Sequence, residues 1–291
     1  MTKATLSDLP APGDRVELVC LKDSFDVIRS RVPPDGPVVV VRAGRSEVRP
    51  VPGEIFAVEV ERSWVFGHTR YVKGVVTEAR LDLPRLELEP LRLEDCGVWD
   101  PEEEPWLFEE DQDPLHDAIR AAGPRPQYEM EQILPEEAVE LQWEEDPILE
   151  AAELSAAGAW HEAAGLLGDL LTADLRCLDA HAHLGILEFQ RTWPEALERA
   201  ERHYRVGVAI GELSLPEPVL DFQGLLPWGL IDNRPFLRCL HGLGLTLWRK
   251  GDLATAGRIF ERLVWLAPHD GLGARFLVND VRAGRAWEET R

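Results

Sequence analysis

Hydrophobic positions along the 291-residue chain change their period near its middle. From Arg15 to about position 93, Val-rich runs alternate with polar residues: RVELVCL, PVVVVRA, SEVRPV, EIFAVEVE, WVFGHTRYVKGVVTEARLDL and LELEPLRL. A period of two predicts strands, and Pro33-Pro34-Asp35-Gly36 and Pro52-Gly53 supply the turns between them. After Trp143 the apolar spacing becomes helical and small residues recur. The pattern predicts an α+β multidomain chain with a β domain over 1–95, a linker over 96–143 and a helical domain over 144–291.

Five or six strands within about 80 residues suggest a small closed β-barrel, SH3-like or OB-like, because full pairing removes exposed edges. Within it, Arg62, Trp64, Phe66, His68, Arg70 and Lys73 form the one stretch where cations and aromatics interleave. On a strand Trp64, Phe66 and His68 share a face. Two readings stay open. Either Trp64 and Phe66 point into the barrel core, or they form an open stacking platform for RNA or single-stranded DNA with the cations meeting phosphates.

Charge sharpens the division of the chain. The formal net charge is −22, yet residues 1–95 carry 16 acids and 14 bases, 96–150 carry 18 and 2, and 151–291 carry 19 and 15. Most of the acidity therefore belongs to the linker, and both flanking modules are close to neutral. A uniformly acidic surface would repel phosphate backbones and anionic membranes, whereas a local one leaves a basic face elsewhere free to act. The linker also holds Trp99, Trp106, Leu107, Phe108, Tyr128 and Trp143, apolar anchors that a plain spacer does not need. It reads as a strap packed on its neighbours or as an acidic-hydrophobic recognition segment.

The helical half contains LRCLHGLGLTLWRKGDLATAGRIFERLVWLAPHD at 237–270. In Leu243, Gly244, Ala256, Phe260 and Pro268 this segment resembles a tetratricopeptide repeat (TPR), a 34-residue unit of two packed helices. Less regular copies begin near Leu178, with His181, Leu184, Gly185, Ala200 and Tyr204, and near Glu144, with Gly158 to Ala163. Three repeats and a helix around Gly273–Arg282 make a TPR-like solenoid. GPRPQYEMEQ and LLPWGLIDNRPFLRCLHG also resemble an uncharacterised bacterial family with an N-terminal β domain and a C-terminal TPR array, which implies no activity.

The resemblance implies a groove lined by first helices. Its inward positions would be Asp179, Ala182, Ile186, Phe189 and Gln190 in the second repeat and Arg238, His241, Leu245, Trp248 and Arg249 in the third. Arg238, His241, Trp248 and Arg249, extended by Phe189 and Gln190, are the expected contacts to a protein partner, an acidic or aromatic peptide, since guanidinium forks match carboxylates. The strap, through Trp106, Leu107 and Phe108, could serve as that ligand in cis. The insertion at 211–233 is too apolar for a solvated loop and is expected to fold back or to be covered by a partner.

Chemistry beyond binding finds little support. No phosphate loop, dinucleotide fingerprint or nucleophile elbow occurs. His161-Glu162 lacks the second histidine of a zinc-protease helix, because Gly165 stands there, and Asp111-Gln112-Asp113 lacks the rest of a calcium loop. Cys177 and His181 are four apart, but a structural zinc takes four ligands. Cysteines at 20, 96, 177 and 239 form no close pair, so they read as reduced thiols, and no apolar run suits a signal peptide or a membrane span. A cytoplasmic, non-enzymatic adaptor without cofactor or metal is expected, with an RNA- or single-stranded-DNA-associated protein as the alternative.

Overall fold

A computed structural model of the protein describes residues 9–24, 27–44, 46, 48–108, 114–135, 146–221 and 223–288. Trp143, Glu144, Phe222 and the acidic run 109–113 lie outside the described residues.

Five strands close a barrel in the order β1-β2-β3-β5-β4: β1 (Arg15–Ser24), β2 (Val27–Arg31), β3 (Val38–Ala43), β4 (Ile55–Phe66) and β5 (Thr69–Arg80). Neighbours are antiparallel except β3 and β5, which run parallel. Strand alternation sends Leu18, Cys20, Ile28, Val39, Val41, Phe56, Val58, Val60, Val72 and Val76 inwards to one buried cluster. Ser30 also points in, and its hydroxyl donates to the Val39 carbonyl at 2.6 Å, so burial leaves no unpaired donor. Strand β4 bulges between Val60 and Arg62 opposite Gly74, where a Cβ would lie 2.2 Å from the Glu59 carbonyl oxygen. Only glycine allows that approach.

Three strand expectations shift, and one of them is LELEPLRL, which stays irregular until a strand begins at its last residue, Leu93. The described part of SEVRPV forms no strand, and VIRSR at 27–31 takes its place in the barrel. With two arginines in five residues VIRSR looks too polar, but only Ile28 and Ser30 have to face the core. The long run from Trp64 onwards is not one strand either. It turns at Gly67-His68, so Trp64 pairs with Tyr71 across a β4–β5 hairpin.

The remaining elements are strands β6 (Leu93–Trp99) and β7 (Arg125–Met130) and nine helices: α1 (Pro114–Ala121), α2 (Pro147–Ala156), α3 (Trp160–Ala173), α4 (Leu178–Phe189), α5 (Ala196–Glu212), α6 (Glu217–Leu220), α7 (Arg234–Arg249), α8 (Leu253–Leu266) and α9 (Ala274–Arg282), among the described residues. No helix among these residues is long and apolar enough to cross a membrane.

Two compact units form, and they run across the boundaries expected at 95 and 143. One comprises 1–89 with 133–187, the other 90–132 with 188–291. In the first, barrel residues Val19, Leu21, Ile55 and Leu86 face away from the barrel interior and join Ile148, Leu167, Leu170, Leu171, Cys177, Ala180 and Leu184 in a second core. Burying apolar side chains of this size is worth about 2 kcal/mol each. The barrel and the first helices therefore share a core instead of forming separate modules. Lys22 adds an ion pair to Asp169 at 2.7 Å.

In the second unit β6 and β7 pair antiparallel, so the acidic stretch is structured where its strands lie. The apolar insertion folds back onto β7. The Leu225 amide donates to the Pro126 carbonyl and the Tyr128 amide to the Leu225 carbonyl, at 2.9 and 3.0 Å, while Leu226 bonds the Leu266 carbonyl. Asn233, fully buried, accepts from the Met130 amide at 2.8 Å and donates to the carbonyls of Tyr128 and Pro227. The two stretches 123–132 and 225–242 are thus each other's packing partners. Helices α5, α7 and α8 approach through glycines: a Cβ on Gly242 would lie 2.2 Å from the Tyr204 ring, and one on Gly244 2.5 Å from Phe260. Gly251 turns the chain between α7 and α8 at φ +88°.

Candidate functional site

The β4–β5 hairpin decides which side of the candidate face is open. Trp64 and Phe66 are absent from the barrel core, and Phe66 is 76% exposed. The register sets Trp64 beside Tyr71, Tyr71 beside Val40 and Val40 beside Arg29, while Arg62 pairs with Lys73 and Lys73 with Arg42. One outer surface across β2, β3, β5 and β4 therefore carries Arg29, Arg42, Arg62 and Lys73 around a Trp-Tyr pair. The Trp64 and Tyr71 rings stack 5.3 Å apart at 6°. Arg42 lies 5.7 Å from both ring centroids and Arg62 lies 5.6 Å from that of Trp64. Such contacts hold guanidinium groups in place at a cost in freedom already met.

Among the described residues, ion pairs leave part of this face unneutralised. Arg31 pairs with Asp35 at 3.3 Å and Lys73 with Glu61 at 2.8 Å, whereas Arg42 and Arg62 rest on rings. Two expected members do not join the face. His68 sits in the turn, and Arg70 pairs with Val65 on the opposite side of the hairpin. Arg29, Arg42 and Tyr71 complete the surface instead. Strand alternation marks Arg29 and Arg42 as outward, but only the β2-β3-β5-β4 order brings Arg42 to Trp64 and puts Arg29 farther along the same surface.

The six groove residues lie in the second unit, and most are engaged within the chain. Arg238 rests 5.8 Å from the Trp228 ring, which Arg234 also covers at 5.1 Å. His241 sits half-buried 6.1 Å from Phe260, and burial pushes its pKa down to about 4. The imidazole is therefore neutral at physiological pH and offers one N–H donor but no charge. Trp248 is 3% exposed, and its indole N–H donates to the Arg285 carbonyl at 2.8 Å. Arg249 donates to the Phe189 carbonyl at 2.7 Å and lies 5.1 Å from the Phe189 ring. Gln190 is exposed just past the end of α4. Of the second-repeat positions, Asp179 and Ala182 are buried and line no open groove.

Of the expected strap anchors, Trp99 is buried whereas Trp106 is 60% exposed. Trp99 and Trp265 bracket the buried Arg125 guanidinium at 5.3 and 5.2 Å, and burial lowers its pKa to about 10. Glu104 accepts from the Trp99 indole at 3.0 Å and from His269 at 2.7 Å.

The Cys177–His181 pair is core chemistry. His181 is fully buried with Nε2 3.0 Å from the Leu175 carbonyl, and its pKa is pushed down to about 4. Burial raises the Cys177 thiol to about 12, which disfavours the thiolate a metal requires. Among the described residues no three His, Cys, Asp or Glu side chains converge as metal ligands.

The chain matches no family model, no curated protein and no solved structure.

Proposed function

We propose that this is a non-enzymatic binding protein whose barrel holds single-stranded RNA or DNA on its outer β2-β3-β5-β4 face, while the helical region engages a protein partner. The observation that carries this reading is the stacked Trp64–Tyr71 pair, bracketed by Arg42 and Arg62, outside the barrel core. Bases stack on aromatic faces whatever their sequence, and cations beside the rings meet phosphates. Strand order supports an OB-like over an SH3-like barrel, since 1-2-3-5-4 with parallel β3 and β5 is the OB arrangement. In that fold the β2–β3 face and the β4–β5 loop contact oligonucleotides. The exposed Phe66 stands at the tip of that loop.

We assign the helices to the TPR type on the packed pairs α2–α3 and α7–α8, each within one unit, the latter followed by α9. The close Gly244–Phe260 approach and the Gly251 turn support the assignment. A purely protein-binding adaptor is the weaker reading, because Arg238, Trp248 and Arg249 already have partners in the chain.

Fluorescence anisotropy with a labelled uridine oligonucleotide tests the proposal. Stacking is worth about 1 to 3 kcal/mol per base, so Trp64→Ala should weaken binding by roughly 5- to 150-fold. A wild-type chain that ignores single strands, or a Trp64→Ala variant with unchanged affinity, refutes it.

A further inference from the structure

The third helix pair carries an aromatic site that the segment after α9 fills. After α9 the backbone turns at Gly284, φ +70°, and Arg285 is held by an ion pair to Asp280 at 2.5 Å and by its amide to the Asp280 carbonyl at 3.1 Å. Two residues on, the Trp287 ring meets Trp248 at 5.3 Å and 89° and Phe189 at 5.6 Å and 89°. Trp248 in turn is edge-on to Phe260 at 6.4 Å. One indole from an irregular tail thus touches aromatics of α4 and α7, and Arg249 flanks Phe189.

We propose that this end of the helical unit is a receptor for a partner peptide bearing a tryptophan followed by carboxylates, and that Trp287 occupies the receptor in cis. Four features support that occupant over a purely structural role for the tail. Edge-to-face geometry on two rings is specific for an aromatic anchor, and such pairs add about 0.5 to 1.5 kcal/mol each beyond burial. The indole N–H of Trp248 is spent on a main-chain carbonyl of the tail, a contact any extended peptide can supply. The tail from 285 to 288 forms no helix or strand, so little structure has to melt for it to leave. Finally, an acid, Glu288, directly follows the indole in sequence, and Arg249 puts a cation on the Phe189 ring of the same aromatic floor. A peptide of the same chemistry in trans competes against a tethered ligand whose effective concentration is in the millimolar range, so cis occupancy sets a threshold for partner binding.

The test uses a fluorescein-labelled peptide of sequence AGRAWEETR and the full chain carrying Trp287→Ala. Removing the tethered indole should raise peptide affinity at least tenfold over wild type, and Trp248→Ala combined with Trp287→Ala should abolish the gain. A peptide with Ala in place of Trp should not bind. A chain ending at Gly284 provides the second variant and should behave as Trp287→Ala does. Either variant, folded by circular dichroism yet no better at binding than wild type, overturns the proposal. Concentration-dependent dimerisation of wild type that Trp287→Ala abolishes would also overturn it, by making the occupant a second copy. Oligonucleotide binding by the barrel is measured separately, so failure of one reading leaves the other standing.

Discussion

Neutralising Arg42 and Arg62 together isolates the electrostatic part of the proposed nucleic-acid face. Both guanidinium groups rest on the stacked Trp64–Tyr71 pair, and neither is bound to the carboxylates that occupy Arg31 and Lys73. With Arg29 on the same surface, about three phosphates can be neutralised, which gives log Kobs against log[salt] a slope near −2 for a single strand at about 0.7 per contact. Arg42→Gln/Arg62→Gln should bring that slope close to −0.7, and the affinity loss should be largest at low salt and shrink as salt rises. Losing the cation–π contacts costs about 0.5 to 1 kcal/mol each at exposed positions, too little to unfold the barrel. Anisotropy titrations of a labelled uridine oligonucleotide from 50 to 300 mM salt supply both slopes, with circular dichroism checking the fold. Equal slopes for wild type and double variant would show that these arginines meet no phosphate, and the face assignment would fall.

Acid should destabilise the protein through its buried histidines. His181 has a folded pKa near 4 against an ordinary 6.5, so between those values the unfolded chain binds more protons and stability falls as pH drops, levelling off below about 4. The loss is roughly 3 kcal/mol for His181, with His241 acting in the same direction, and urea midpoints at pH 7, 6 and 5 measure it. His181→Gln should flatten that dependence. Asn233→Ala leaves the Met130 amide and two carbonyls without their partner and should cost about 3 kcal/mol, with faster hydrogen exchange at Met130. Unchanged exchange there would refute the clasp. Gly242→Ala drives a methyl into the buried Tyr204 ring and should cost about 3 kcal/mol in thermal denaturation, whereas a neutral result would mean that α5 and α7 can separate freely.

Much of the architecture was legible in local pattern. Alternating Val-rich runs point to a barrel because a linear chain displays a period of two, and the resemblance of Gly244, Ala256 and Phe260 to a tetratricopeptide repeat implies paired helices. Counting acids by segment located the charge. VIRSR is not legible because a strand with one polar side needs few apolar residues, and the shared core of barrel and helices is not legible because Val19, Leu21 and Ile55 look like any barrel residues in sequence.

By itself the sequence determined that Trp64 and Phe66 share a face with neighbouring cations, since a period of two fixes which residues lie together. It could not determine whether that face is the core or the surface, because shifting the register by one residue exchanges the two. Only the tertiary structure decided this, by filling the barrel from Val72 and its partners and carrying the hairpin beyond them. Tertiary structure alone also brought Arg42 to Trp64 across a parallel strand pair and Trp287 back to Trp248. Those contacts join residues far apart in the chain, and no local pattern encodes them.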